Sequence, residues 1–216
     1  MIVDLNHERA RLVVERLDPA GERASAVAAD VRDREQLQYA FEVACRRRGR
    51  VDVLVNNAAS AKARSFWELE QAEWDDVLAV NLRGVLFACQ IVGAHMRELG
   101  SGRILNVSSL AGQQGSLVSG AHYSASKAGI LVLTKIVASE LAAHGVTVNA
   151  IAPAAIDSPL LRELGEQRAA ELSQAIPIGR VGHPGEVAAL AVFLCSDDAA
   201  YITGACYDIN GGLFMR

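Results

Sequence analysis

The sequence of 216 residues is notable first for what it lacks. It has four cysteines, Cys45, Cys89, Cys195 and Cys206, scattered along the chain with no C-x-x-C spacing. That excludes a zinc ribbon or a disulfide framework and predicts reduced thiols in a cytoplasmic protein. The five histidines show no ligand spacing, so no catalytic metal is expected. No excess of basic charge is present: the net charge is −4, which argues against a nucleic-acid partner. No apolar run approaches the roughly 18 residues that span a bilayer, and charge begins at Asp4, which excludes a signal-peptide plan; no membrane partner is expected. Finally, no G-x-G-x-x-G turn occurs anywhere in the chain.

What is present is a chain rich in hydrophobic residues, 51% of the total, and large enough to bury a core as a single domain over residues 1–216. Short β-branched runs at Val51–Val55, Ile104–Val107 and Val146–Ile151 alternate with helical patterns. Asn6 and Asp33 read as helix caps, and Gly49 follows a basic helix end. The alternation predicts an α/β fold: a doubly wound, mostly parallel sheet with helices on both faces, α/β/α in three layers and Rossmann-like. Long helical patterns cover about Trp74–Leu99 and His122–His144. The second is apolar nearly all round, which predicts burial on more than one side and a homodimer or homotetramer.

The stretch Ser109–Lys127, SLAGQQGSLVSGAHYSASK, carries the chemistry. Tyr123 and Lys127 stand four apart, on one helix face. A free tyrosine titrates near pH 10, so acid/base work near pH 7 requires a shift of about three units, or about 4 kcal/mol. A cation at about 4 Å, at an effective dielectric near 20, supplies that much. Ser109 ends an apolar strand and can hydrogen-bond a substrate oxygen beside the tyrosine. Y-x-x-x-K alone is a weak signal; its surroundings decide.

Those surroundings include VNNAA (55–59), Asn81 in VNLRG, NVSS (106–109), YSASK (123–127), NAIAP (149–153) and YITGACYDINGG (201–212). With these motifs in this order, the chain resembles the short-chain dehydrogenases/reductases over essentially its whole length. The resemblance implies a tetrad of Asn81, Ser109, Tyr123 and Lys127 over a nicotinamide cofactor. Asn81 would hold a water linking Lys127 to solvent. It also implies cofactor contacts from Asp30, Val31, Asn57, Tyr123, Lys127, Pro153, Ile156 and Ser158. Asp4, an acid at the end of a strand, favours the ribose hydroxyls of NAD and repels the 2′-phosphate of NADP. Ala59 and Ala154 stand where the family usually has glycine. Gln113, Gln114, Leu117 and His122 are candidate pocket residues, with His122 read as a first-turn surface residue rather than a second base. Leu160–Leu172 reads as a helical lid over the substrate.

The expected function is therefore NAD(P)-dependent interconversion of a small-molecule alcohol and a carbonyl compound, with NAD preferred. Two other functions compete with it. One is a catalytically silent scaffold form with impaired cofactor binding. The other is a dehydratase or epimerase, disfavoured by the short C-terminal part. The silent reading rests on the glycine pattern, since the family's T-G-x-x-x-G-x-G does not occur either. The chain opens where the family's second strand should be ending, so the domain reads as N-terminally incomplete, with a truncated N-terminus. In the strand order 3-2-1-4-5-6 the absent strand is central. An open gap is not expected, because each unpaired buried backbone group costs about 1–3 kcal/mol against a total stability of about 5–15 kcal/mol. A truncated chain, or a Met1–Asp30 segment that shifts, swaps or docks on a partner, is expected instead.

Overall fold

The computed structural model describes residues 1–158, 161 and 166–215. In chain order the strands are β1 (Ile2–Asp4), β2 (Ala26–Ala28), β3 (Val53–Asn56), β4 (Gly102–Val107), β5 (Val146–Pro153) and β6 (Cys206–Ile209). The helices are α1 (His7–Leu17), α2 (Arg34–Arg48), α3 (Gln71–Leu78), α4 (Gly84–Leu99), α5 (Ala111–Gln114), α6 (Ala121–Leu141), α7 (Glu166–Ala175) and α8 (Pro184–Leu194).

Local signals set the helix ends. The Asn6 side chain accepts from the Arg9 N–H, and Asp33 accepts from Glu35 and Gln36, occupying donors that have no partner within a first turn. Gly49, at φ 79°, closes α2 behind Arg46, Arg47 and Arg48, whose charges suit a helix C-terminus. The pattern read from Trp74 to Leu99 is one continuous helical stretch, interrupted by a π turn over Ala79–Arg83. By length and composition Gln71–Leu99 could cross a membrane, contrary to the expectation from apolar runs, yet it is a core helix: Val85, Cys89, Ile91, Val92 and Met96 are buried against Ile104, Ile130 and Leu141.

All paired strands are parallel, in two sheets: β1–β2, and β3–β4–β5–β6 in that order. Side-chain alternation along β4 and β5 divides the core. Ile104, Val146 and Val148 face α4 and α6, while Leu105 and Ile151 face Leu194 and Leu190 of α8. Helices thus cover both faces, which makes the three-layer α/β/α arrangement. The carboxyl ends of the strands share one edge, bringing Asp4, the 29–31 turn, Asn57, Ser109 and the 154–158 segment to it.

A slot stays open between β1 and β3, so the Met1–Asp30 segment does not shift to close the gap, correcting that expectation. The reason lies in the helical layer, which holds the β1–β2 pair without strand pairing. Phe41 of α2 packs edge-on against His95 of α4 at 5.2 Å, and Arg34 stacks on Phe87. Beyond β2, Val31 lies so close to α4 that a Cβ on Gly84 would sit 3.0 Å from both its Cβ and its carbonyl oxygen. Gly84 is therefore the contact point between the two units. The slot is a cavity of about 710 Å³.

Candidate active site

Ser109 is positioned by the end of β4. Pairing with β5 continues past the strand through Ser108 N–H to Ile151 O (2.8 Å) and Leu110 N–H to Pro153 O (2.9 Å), which fixes the turn between them. The Ser109 hydroxyl accepts from the Ala111 N–H at 3.1 Å and hydrogen-bonds the Tyr123 hydroxyl. Tyr123 and Lys127 stand in the first turns of α6. Gly112 lets α5 lie directly on that helix: a Cβ there would meet the Lys127 carbonyl carbon at 2.6 Å. The Ser108 hydroxyl donates to the Lys127 carbonyl oxygen at 2.8 Å, a second tie between β4 and α6. Sequence proximity to Ser109 hid this supporting role.

Lys127 is 2% exposed, and its Nζ donates to the Val107 carbonyl oxygen at 2.7 Å while lying 5.7 Å from the centre of the Tyr123 ring. Burial lowers its pKa to about 8. Burial also raises the Tyr123 hydroxyl, with the Ser109 hydrogen bond pulling the other way. The sequence expectation that Lys127 lowers the tyrosine needs correction for this state. The ammonium faces the ring and a strand-end carbonyl, and desolvation dominates both groups.

Asn81 lies in the π turn, fully buried. Its Oδ1 accepts from Ser60 N–H (2.7 Å), and its Nδ2 donates to Ser60 O (2.9 Å) and to the Ser126 hydroxyl (3.0 Å). The Ser126 hydroxyl donates in turn to the Tyr123 carbonyl oxygen. The amide is thus satisfied by main chain and a serine, and it links the loop after β3 to α6. Ser60 and Ser126 were missed in the sequence. The only signal for Ser126 was its place between Tyr123 and Lys127.

The expected cofactor residues divide into groups. Asp4, Val31 and Asn57 line the slot with Gly84 and Val80. The Asp4 carboxylate accepts from its neighbour's N–H, at Asn6. Asp30 is clamped by Arg32, whose Nε and NH2 both reach it and whose other NH group pairs with Asp76; these bonds hold the Asp30 carboxyl below its usual range. Pro153 holds Leu110. Ala154 N–H continues the pairing to Ile209 O, so the methyl that replaces the usual glycine sits within an ordered strand end. Ile156 bridges to Gly182 and faces a small cavity of about 160 Å³ with Ile176, Ile178 and Ile209. The Ser158 hydroxyl accepts from the Leu161 N–H.

Among the candidate pocket residues, Leu117 and Gln114 are exposed. The Gln113 amide donates to Asp208 across the sheet edge. His122 is not a surface residue. It is fully buried beneath Gly120, because the 115–120 loop folds over the start of α6. The lid expected over Leu160–Leu172 falls partly on residues 160 and 162–165, outside the described residues; α7 begins at Glu166.

The residues fit a nicotinamide cofactor unevenly. Tyr123, Lys127 and Ser109 form one cluster that suits the reactive end. On the phosphate side, among the described residues, no glycine-rich turn brings N–H groups to this edge, and Asp30 is already bound by Arg32.

Comparison with known proteins is consistent with this edge. The family model described as enoyl-(acyl carrier protein) reductase matches residues 1–214. Relatives named 3-oxoacyl-[acyl-carrier-protein] reductase FabG include those of Thermotoga maritima, Staphylococcus epidermidis and Vibrio cholerae. The first is 37% identical over 212 residues, 98% of this chain and 86% of the relative. The second is 38% identical over 208 residues, 96% and 85% of the two chains. The third is 37% identical over 199 residues, 92% and 81%. Sheet, motif order and relatives agree, and the chain belongs to the short-chain dehydrogenase/reductase family of oxidoreductases.

Proposed function

We propose that the chain is a cytoplasmic, NAD-preferring oxidoreductase that interconverts an alcohol and a carbonyl compound. Its substrate is a 3-oxoacyl thioester, a class taken from the names of its relatives. The observation that carries this reading is the Ser109–Tyr123 hydroxyl pair with Lys127 buried beside it. The nicotinamide, when bound, supplies or takes the hydride. Ser109 holds the substrate oxygen, Tyr123 gives or takes its proton, and Lys127 orients the tyrosine and the ribose. Asn81 fixes the helix carrying them and serves the proton relay. Pro153, Ile156 and Ser158 stand on the nicotinamide side. Asp4, Asp30, Val31 and Asn57 stand on the adenosine side, where the Asp4 carboxylate favours NAD.

Tyr123→Phe tests the mechanism. In any preparation with measurable turnover it should lower kcat by about 10²–10⁴-fold, the usual worth of a positioned acid/base, with an unchanged melting temperature. Near-normal kcat would sink the proposal. Asp4→Ser, with an arginine added nearby, should relax the NAD preference towards NADP. An unmodified chain that prefers NADP would overturn the assignment.

A second reading is favoured by one specific observation: the sequence has no glycine-rich turn to cradle the pyrophosphate. On that reading the 216-residue form binds NAD very weakly and turns over little. Calorimetry separates the two, since micromolar NAD affinity would remove the silent form.

A further inference from the structure

Large apolar side chains in water are ordinary singly and informative in groups. Phe66 (63%), Trp67 (89%), Leu117 (95%) and Val118 (65%) are strongly exposed and fall in two short segments. Neither segment is slack. Leu117 and Val118 form the tip of a turn closed by Ser119 N–H to the Ser116 hydroxyl (3.1 Å) and by Gly120 N–H to Ser116 O (3.2 Å). His122, buried beneath Gly120, seats that turn. Phe66 and Trp67 lie in a 3-10 turn, with their rings edge to face at 5.1 Å. The chain before them is tied down at Ser60 by Asn81, at Lys62 by Asp76 and at Arg64 by a bidentate pair with Glu73 of α3. The aromatic pair is therefore held out in water by an anchored loop.

The two segments meet. A Cβ on Gly120 would stand 3.4 Å from the Arg64 carbonyl oxygen. Phe66 follows Arg64 by two residues and Val118 precedes Gly120 by two, and a chain reaching about 3.5 Å per residue keeps each within about 7 Å of that contact. The second segment also joins the Ser109 turn to the start of α6, which carries Tyr123. An apolar strip thus runs from the aromatic pair to the loop between the two hydroxyl residues of the site. Its area is roughly 600 Å², the size of a functional patch on a monomer and short of the about 800 Å² per partner of a stable protein interface.

We propose that this strip is a subsite for the hydrocarbon tail of the substrate. The tail lies along Phe66–Trp67 and Leu117–Val118, and the strip gives the protein a preference for long acyl chains over short ones. The inference rests on the reading above for the reacting end, an acyl thioester whose oxygen meets Ser109 and Tyr123. A tail asks for apolar contact and no hydrogen bonds, which is what these four side chains offer. Each methylene laid against them leaves water, so affinity rises with chain length. The anchored loops make the strip a preformed surface, so little ordering is lost on binding.

The test uses the intact chain with S-butyryl- and S-decanoyl-N-acetylcysteamine, which lack the 3-oxo group and so bind without turnover. Calorimetry should show the decanoyl thioester binding at least tenfold more tightly than the butyryl one. Trp67→Ser and Leu117→Ser should each weaken the decanoyl thioester at least fivefold and leave the butyryl thioester within twofold. Both side chains are exposed, so neither change threatens the fold. Val192→Ser, at a site 71% exposed on α8, should change nothing. In a Trp74→Phe background Trp67 is the sole tryptophan, and its emission should shift to the blue with the decanoyl thioester; if that background fails to fold, calorimetry on the single variants carries the same test. Equal affinity for the two thioesters, or undiminished decanoyl binding in Trp67→Ser, would overturn the proposal. Light scattering that showed Trp67→Ser breaking an assembly, with acyl affinity unaltered, would overturn it too and assign the strip to a second copy. Tyr123→Phe keeps the two readings apart. It should retain the chain-length preference, so a failed mechanism leaves the subsite standing, and a failed subsite leaves the mechanism.

Discussion

The two sheets of this molecule are built from the same kind of strand and are held in different ways. β5 is flanked on both edges and buried along nearly its whole length, with Val146, Val148, Ala150, Ile151 and Ala152 at 0–1% exposure. β1 is paired on one edge only and part-exposed throughout. The four-stranded sheet is held by its own ladder and by helices on both faces. The two-stranded sheet is held at one remove, by α1 packed on its strands and by α2 on α4. Strand sequence alone therefore does not decide how firmly a strand is fixed. The layer behind it does.

Substitutions rank the two sheets. Ile151→Ala, in the joint core of β5 and α8, should cost about 2–5 kcal/mol in urea unfolding, because a well-packed site collapses poorly around a cavity. A cost below 1 kcal/mol would put the two sheets on a level. Lys127 tests the buried side by pH. Its pKa is about 8 in the folded state against 10.5 as a free side chain, so the unfolded state holds the proton more tightly. Stability should be lowest below pH 8, where both states are protonated, and should rise towards pH 10.5 as the folded-state penalty disappears. The gain relative to Lys127→Met should be about 3 kcal/mol. A flat difference between the two proteins across that window would show that burial does not set this pKa.

Gly84→Ala acts on the tether between the sheets. The added methyl would press on Val31 and should cost about 1–3 kcal/mol. Amide exchange should accelerate in β1–β2 before β4–β5; equal acceleration in both would mean that one cooperative unit spans the slot. The smallest effect is expected from Val27→Ala, about 1 kcal/mol from lost apolar burial, read as local opening of β1–β2 with little change in the global midpoint.

Much of the fold was legible because its signals are local. Asn6, Asp33 and Gly49 announce helix ends through side chains or backbone freedom that act within a few residues. The β-branched runs announce strands, though Val51–Val55 begins two residues before β3, because a ladder starts where its partner does. The positions of Ser109, Tyr123 and Lys127 were legible by motif, and their partners were not. Asn81 finds Ser60 from 21 residues away, and Gln113 finds Asp208 from 95 away. No spacing encodes such pairs. His122 was misjudged for the same reason, since its burial comes from a loop folding back over it. The open slot is not legible in the sequence, because unpaired backbone argues against a gap and the α2–α4 contact that holds it is long-range.

The clasp between Asn81 and Ser60 bears on which residues each position tolerates. Of residue 60, Asn81 meets only the main-chain amide and carbonyl, as a neighbouring peptide group would, while its Nδ2 also donates to Ser126. The identity of the side chain at 60 is thus unread, and proline alone is barred, having no hydrogen to give. At 81 the opposite holds. Aspartate would bring a buried charge and no donors, leucine neither donor nor acceptor, and glutamine an extra methylene in a fully enclosed site. One half of the clasp is free to drift across sequences while the other is confined to a single amino acid.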